Sequence, residues 1–97
     1  MLINWRQEAE DDAGEILEYI AQNNITAAYN VYEAIYQQVS LLSEYPELGR
    51  VGRVKGTREL VITGTPYIAA YRLKGESVNI LRVLHGSRKW NKRFPKK

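Results

Sequence analysis

Apolar residues recur at intervals of three and four in two segments of the first half of the chain. In the first segment these residues are Ala9, Ala13, Ile16, Leu17 and Ile20. In the second segment they are Ala28, Val31, Ile35, Val39 and Leu42. This spacing puts the apolar side chains on one helical face and predicts helices over about residues 6–22 and 25–44. Because only Asn23 and Asn24 separate the two segments, we expect an antiparallel helix hairpin.

The second half of the chain alternates between apolar and polar residues, a pattern typical of strands. It predicts strands over residues 58–63, 67–73 and 77–85, separated by Gly-Thr-Pro and Lys-Gly-Glu turns. Strands joined by such short turns form an antiparallel meander. The apolar run at residues 2–5 predicts a further strand at a sheet edge. The segment PELGRVGRVKGT at 46–57 holds three glycines and three bases, and it predicts a loop.

The predicted order of elements is an N-terminal strand, a helix hairpin and a three-stranded antiparallel meander, which defines an α+β fold. One face of the sheet is expected to pack on the helices, and the other is left to solvent or a partner. On the last strand, alternation places Ile80 and Arg82 on one side and Val83 and His85 on the other. Arg72 and Arg82 are then expected to line one face, if the register of the strands allows it.

The charge of the chain is divided unevenly between its two halves. Residues 1–48 contain one base and nine acids, whereas residues 49–97 contain thirteen bases and two acids, for a net charge of +3. The length of 97 residues predicts one domain over 1–97, with a basic C-terminal tail at 86–97. A positive surface of this kind attracts phosphate groups or an acidic protein segment.

Several kinds of chemistry are excluded by composition. The chain has no cysteine and a single histidine, so we expect no disulfide, no thiolate zinc site and no metal site built from several histidines. No metal or other cofactor is expected. Because the basic half has so few carboxylates, paired-carboxylate catalysis and a Ser-His-Asp triad are also poorly supported. No apolar run approaches the length of a membrane helix, and the acidic first twenty residues do not resemble a signal peptide, so a cytoplasmic protein is expected.

The candidate functional residues are therefore basic and aromatic. If the protein cleaves RNA without a metal, the catalytic candidates are His85, Arg88, Arg58 and Lys55. In that case His85 transfers the proton and the bases neutralise phosphate charge. If the protein instead binds a target, the candidate contact residues are Arg72, Arg82, His85, Arg88, Lys89, Trp90, Lys92 and Arg93.

Four segments resemble the RelE/ParE superfamily of toxins from bacterial toxin–antitoxin modules. They are YIAQNNITAAYNVYEAI in the helix hairpin, GTREL at 56–60, TPYIAAYR at 65–72 and ILRVLHGSRKW at 80–90. The resemblance covers about residues 2–90. It implies a small cytoplasmic toxin with a four-stranded sheet packed on a helix hairpin. It also implies a cognate antitoxin with an extended, often acidic segment, and operator DNA contacted only through the toxin–antitoxin complex.

The superfamily contains two kinds of toxin: RelE-like members cut mRNA on the ribosome, and ParE-like members inhibit DNA gyrase. The RelE-type pattern has an arginine where this chain has Ile68 and a tyrosine near the position of Phe94. Arg88 matches a basic position of the nucleases, while Lys55 and Arg58 match more loosely. These departures favour a ParE-like binding protein over an enzyme. The alternatives are a RelE-like metal-independent endoribonuclease and a degenerate toxin that retains only antitoxin binding and operon regulation.

Overall fold

The predicted helix hairpin is present in the computed structural model, which describes residues 1–87 and Phe94. Helix α1 spans Gln7–Ala21 and helix α2 spans Ile25–Ser40. Asn24 caps α2, because its side chain accepts a hydrogen bond from the backbone N–H of Ala27 at 2.9 Å. Helix α2 ends earlier than the sequence predicts, since Leu41–Ser43 tighten into a 3₁₀ turn.

The described residues form a sheet of five strands in the order β1-β5-β4-β3-β2. Their bounds are Leu2–Trp5 (β1), Arg50–Val51 (β2), Arg58–Val61 (β3), Tyr67–Lys74 (β4) and Ser77–His85 (β5). Strands β3, β4 and β5 form the predicted antiparallel meander, and β1 joins it at the edge, parallel to β5. The α+β class is confirmed, and the predicted elements occur in the predicted order, with one additional strand, β2.

Strand β2, alone among the strands of the described residues, is not predicted by the sequence, because the composition of residues 46–57 predicts a loop and the resemblance implies four strands. Arg50 and Val51 pair with Glu59 and Arg58 in an antiparallel hairpin. The turn is closed by a 2.8 Å hydrogen bond from the Gly52 N–H to the Thr57 carbonyl. A strand of two residues is too short for alternation to be visible, and glycine on either side of it indicates a loop.

A β-bulge in β5 reverses the alternation of its side chains. Ala70 of β4 lies opposite Arg82 but Tyr71 lies opposite Ile80, so Leu81 is the extra residue. Ile80 and Val83 consequently both face the helices and join the core, while Arg82 shares the opposite face with Ala70. The prediction that Ile80 and Arg82 share a side is therefore wrong. A single inserted residue moves every later side chain to the other face.

The core lies between the helix hairpin and one face of the sheet. Its helical members are Ala9, Ile16, Ile35, Val39 and Leu42. Its members from the sheet and the adjoining turn are Leu60, Ile62, Ala69, Tyr71, Val78, Ile80 and Val83. The opposite face was expected to be left to solvent or a partner, but its centre is buried. Ala70 is fully buried there, Glu59 is 2% exposed, and Gly86 lies against the side chain of Ile68.

Side chains from both helices cap the edges of the sheet where the outer strands end. Beyond β1, the Asp12 carboxylate accepts a hydrogen bond from the Val83 N–H at 2.9 Å. Beyond β2, the Gln38 amide accepts from the Thr63 N–H at 2.8 Å and donates to the Thr63 carbonyl at 3.1 Å. These groups satisfy backbone positions that would otherwise offer an open edge to another chain.

Candidate functional site

A buried carboxylate organises the basic turn that connects β2 and β3. Glu59 Oε1 accepts hydrogen bonds from Arg50 Nε and Nη2 at 3.3 and 3.1 Å. Its Oε2 accepts from the backbone N–H and the Nε of Arg53 at 2.8 and 3.1 Å. Glu59, the only acid between residues 49 and 75, is thus enclosed by two guanidinium groups. This arrangement fixes the position of the basic turn relative to the sheet.

The pKa of Glu59 reflects two opposing effects. Burial by itself would raise this pKa, because the charged carboxylate loses water. The backbone hydrogen bond from Arg53 and the guanidinium groups of Arg53 and Arg50 favour the charged form and outweigh burial. The pKa of Glu59 is therefore below its ordinary value, and the ion pairs with both arginines persist at neutral pH.

Arg58, a candidate for RNA cleavage, holds the segment that precedes β2. Its Nη1 donates to the carbonyl oxygens of Gly49 and Glu47 at 2.6 and 3.4 Å. The hydroxyl of Tyr71 fixes the same segment, since it donates to the Pro46 carbonyl at 2.8 Å and accepts from the Gly49 N–H at 2.9 Å. Burial raises the pKa of Tyr71, so its hydroxyl stays protonated and keeps this donor. Arg58 thus has a structural role in positioning this loop.

Arg82, a candidate contact residue, is tied to the helix hairpin. Its Nε and Nη2 donate to the two carboxylate oxygens of Asp12 at 2.7 and 2.9 Å. This hydrogen bonding raises the pKa of Arg82 further above its ordinary value. Arg72 lies opposite Asn79, and the register places it on the same face as Ala70 and Arg82. The two arginines share a face, but the charge of Arg82 is largely neutralised there.

His85 lies at the end of β5, opposite Tyr67. The two rings meet edge to face with centroids 5.6 Å apart. The Nδ1 of His85 accepts a hydrogen bond from the backbone N–H of Ser87 at 3.2 Å, and the Ser87 hydroxyl lies 2.9 Å from the same nitrogen. Because a backbone N–H can only donate, Nδ1 acts as the acceptor in its contact with the Ser87 N–H.

The candidates for RNA cleavage do not converge in the part of the chain that the structure describes. His85 is paired with Tyr67 and Arg58 with Tyr71, four residues further along β4. Four strand residues span roughly 13 Å, and the Arg58 guanidinium is directed to the carbonyl oxygens of Gly49 and Glu47, so the two side chains do not point to one site. Lys55 is exposed on the turn between β2 and β3. The remaining candidates, Arg88, Lys89, Trp90, Lys92 and Arg93, lie outside the described residues.

Three polar residues that organise this region are not among the candidates predicted from the sequence: Asp12, Gln38 and Glu59. Asp12 lies three residues after Ala9 and four before Ile16, on the buried face of α1. An acid on an apolar helical face requires a partner, so its position was an available signal. Glu59 offered a similar signal, because a single acid in a segment rich in Arg and Lys is expected to pair with them. Gln38 had none, because its partner is the backbone of Thr63.

Other kinds of site find no support within residues 1–87 and Phe94. No group of three or more His, Cys, Asp or Glu side chains in this range could hold a metal ion. No helix formed by these residues combines the length and the apolar character that crossing a membrane requires.

Comparison with known proteins identifies the family. The sequence model described as "ParE toxin of type II toxin-antitoxin system, parDE" matches residues 3–90. The chain belongs to the ParE toxin family. This ParE-family toxin is 42% identical over 88 residues to Y4kP of Sinorhizobium fredii, a protein named as a toxin, and the match covers 91% of each chain. The RelE/ParE resemblance seen in the sequence is thereby confirmed.

Two further relatives agree with this assignment. The toxin is 33% identical over 84 residues to "Toxin RelE2" of Caulobacter vibrioides, covering 87% of this chain and 93% of the relative. In structure it is similar to a chain of the "Chromosomal ParDE TA system from P. aeruginosa", with a TM-score of 0.78 and 29% identity. That match covers 86% of this chain and 92% of the other, so the two chains share most of their fold.

Proposed function

We propose that this ParE-family toxin acts in the cytoplasm by binding and inhibiting DNA gyrase, and that a cognate antitoxin neutralises it. The observation that carries the proposal is the separation of the residues that would be needed for RNA cleavage. His85 and Arg58 are paired with β4 residues roughly 13 Å apart, and Arg58 is bonded to backbone carbonyl groups. General acid–base catalysis requires the proton-transferring group and the charge-stabilising group at one substrate.

The position of Ile68 gives independent support. The RelE-type pattern has an arginine here, whereas Ile68 is 4% exposed and packed beneath Gly86. An arginine side chain would not fit this buried position without rearrangement of β4 and the end of β5. The third strand therefore supplies no cation at the position where the nuclease pattern places one.

The surface around the basic turn is suited to binding an acidic macromolecule. Residues 49–58 carry Arg50, Arg53, Lys55 and Arg58 and no acid, and Glu59 holds the first two of these at fixed positions. Arg72 adds to this positive charge on the face of the sheet that is opposite the helix hairpin. The target contacts that we propose include Arg72, His85 and the basic residues of 88–93. The positive potential of this half would speed encounter with a negatively charged partner.

The deciding experiment is a gyrase supercoiling and cleavage assay with purified toxin, run beside a cleavage assay on ribosomes programmed with mRNA. We expect inhibited supercoiling, accumulated gyrase–DNA cleavage complexes and intact mRNA. Adding the protein encoded in the same operon should reverse the inhibition. Cuts in mRNA at codon-spaced positions with unaffected gyrase would overturn the proposal in favour of a RelE-like nuclease. No effect on either target would indicate a degenerate toxin.

A further inference from the structure

The charges of this toxin are divided between the two layers of its fold. Helices α1 and α2 together carry seven acids and no base. The strands and turns of residues 50–74 carry six bases and one acid, the buried Glu59. A polyanion is therefore repelled by the helical layer and attracted to the sheet layer, so the two fields orient it before contact.

The turn between β2 and β3, residues 52–57, presents one of these bases at a fixed position. The Thr57 N–H donates to the Val54 carbonyl at 3.1 Å, and Gly56 has a φ of +80°. Both features fit a type II β-turn, whose third residue requires a positive φ. Lys55 is the second residue of this tight turn and is exposed there.

Two arginines lie beside the turn and are held by one carboxylate. The Nη2 atoms of Arg50 and Arg53 lie 3.1 and 3.4 Å from the same oxygen of Glu59, so the two guanidinium groups are neighbours. Their side chains are still 57% and 39% exposed. The exposed side of each guanidinium can contact a second anion, and because both groups are already positioned, little conformational entropy is lost on binding.

The side chains of this segment favour a nucleic acid over an acidic protein as the anion. Residues 49–60 contain four bases and no aromatic residue, and Val51 is the one exposed large apolar residue among them. Protein–protein interfaces are enriched in aromatic anchors and depleted in lysine. Protein–DNA interfaces are more polar and much more positively charged. The basic segment resembles the second kind of interface.

The same composition favours a duplex over a single strand. Proteins bind single-stranded nucleic acids by stacking the bases on aromatic side chains. On β4, the residues that face away from the helices are Ile68, Ala70, Arg72 and Lys74, none of them aromatic. A duplex needs no such platform, because its bases stay stacked and its phosphates lie on the outside.

We propose that the basic turn 52–57, together with Arg50, binds the phosphate backbone of duplex DNA. Lys55 contacts a phosphate from the tip of the turn, while Arg50 and Arg53 contact phosphates beside it. Such contacts carry no sequence information, so the binding is independent of sequence. This inference rests on the proposed function and deepens it, because the toxin then contacts the DNA of the gyrase complex as well as the enzyme.

The test measures binding of the purified toxin to a fluorescently labelled DNA duplex by anisotropy, without gyrase, over a series of salt concentrations. Lys55→Gln should weaken binding by about three- to tenfold and reduce the slope of log K against log salt by about 1. Adding Arg50→Gln should reduce the slope by about 2 in total. Lys55→Arg should restore the wild-type slope, since it keeps the charge.

Thr26→Glu is the matched control, because it lowers the net charge by the same single unit as Lys55→Gln. Thr26 is exposed in the first turn of α2, where the helix dipole favours a carboxylate and the fold tolerates it. We expect its affinity for the duplex to stay within twofold of wild type and its salt slope to be unchanged. Melting temperatures of all variants control for unfolding.

The outcomes separate this inference from the proposed function. Equal weakening by Thr26→Glu and Lys55→Gln would show a response to net charge alone, and the assigned surface would be wrong. Inhibited gyrase without DNA binding by the wild-type toxin would overturn the DNA inference and leave the proposed function standing. Binding to DNA through Lys55 without any effect on gyrase would do the reverse. Tighter binding to single-stranded RNA or to polyglutamate than to the duplex would overturn the assigned ligand.

Discussion

The carboxylate of Asp12 on α1 lies 2.7 Å from the Nε of Arg82 on β5, seventy residues later in the chain. The same carboxylate accepts hydrogen bonds from Arg82 Nη2 and from the Val83 N–H, each at 2.9 Å. The buried carboxylate of Asp12 therefore neutralises the charge of Arg82 and satisfies the backbone N–H of Val83 at the edge of β5. This contact fixes α1 to the strand on which the proposed contact residue His85 lies.

Replacing Asp12 with asparagine should destabilise the toxin by about 2–3 kcal/mol. The variant leaves the half-buried charge of Arg82 without its partner, and removing one member of a buried ion pair is costly. Asp11→Asn is the matched control, because Asp11 is exposed and its hydrogen bond is with Gln7 on the same helix. Urea unfolding of both variants measures the effect. Equal stability of the two would show that the Asp12–Arg82 contact contributes little.

Two glycines should respond to alanine in opposite directions. A Cβ at Gly49 would lie 2.7 Å from the Tyr71 ring and 2.8 Å from the Glu59 carbonyl oxygen, so Gly49→Ala should cost about 2–3 kcal/mol. A Cβ at Gly14 of α1 would meet nothing within 4 Å, so Gly14→Ala should stabilise the helix by about 0.5–1 kcal/mol. Thermal unfolding of the pair tests both signs. A stable Gly49→Ala variant would mean that Tyr71 can move away from this loop.

Glu59→Gln should change how stability depends on pH. The folded pKa of Glu59 lies below its unfolded value of about 4.3, so the wild type gains stability above that value and loses it as pH falls through the folded pKa. The variant should be less stable at pH 7, and the difference should shrink towards pH 3. Denaturation at both pH values checks this, with exposed Glu76→Gln as control. A difference that does not depend on pH would contradict the ionised Glu59.

His85→Gln should leave gyrase inhibition within about threefold of wild type. A glutamine side chain can still accept a hydrogen bond from the Ser87 N–H, and a binding protein needs no proton transfer at this position. If His85 instead moved a proton during mRNA cleavage, activity on programmed ribosomes would fall by about 100-fold. Titrations of supercoiling and mRNA cleavage with the same two preparations distinguish these results. The melting temperature of the variant controls for unfolding.

Replacing Arg88, Lys89, Lys92 and Arg93 together with glutamine should weaken gyrase inhibition at least tenfold. The expected cause is loss of positive charge from the proposed contact segment, so the effect should diminish as salt is raised. Antitoxin binding should be largely retained. Lys74→Gln, at an exposed site beside the β4–β5 turn, tests whether loss of a single surface charge matters. Unchanged inhibition by the fourfold variant would remove this segment from the proposed target surface.

The sequence alone predicted the elements whose side chains repeat with a clear period. Both helices, the N-terminal edge strand and the antiparallel meander follow from apolar spacing, because one face of each element must be buried. The family also followed from the sequence, through the motifs at 56–60, 65–72 and 80–90, which lie within the matched range of 3–90. Charge counting identified a basic half but did not show which bases are neutralised.

The tertiary structure decided which side chains face each other. The bulge at Leu81 reversed the sides of Ile80 and Arg82, and no periodicity shows where a strand gains one residue. Strand β2 forms because Arg50 and Val51 pair with β3 after a turn brings the two segments together. Its own sequence is typical of a loop. The roles of Asp12, Gln38 and Glu59 depend on partners far away in the sequence or in the backbone. Sequence determines local period, whereas register and long-range polar contacts are set only when the elements pack together.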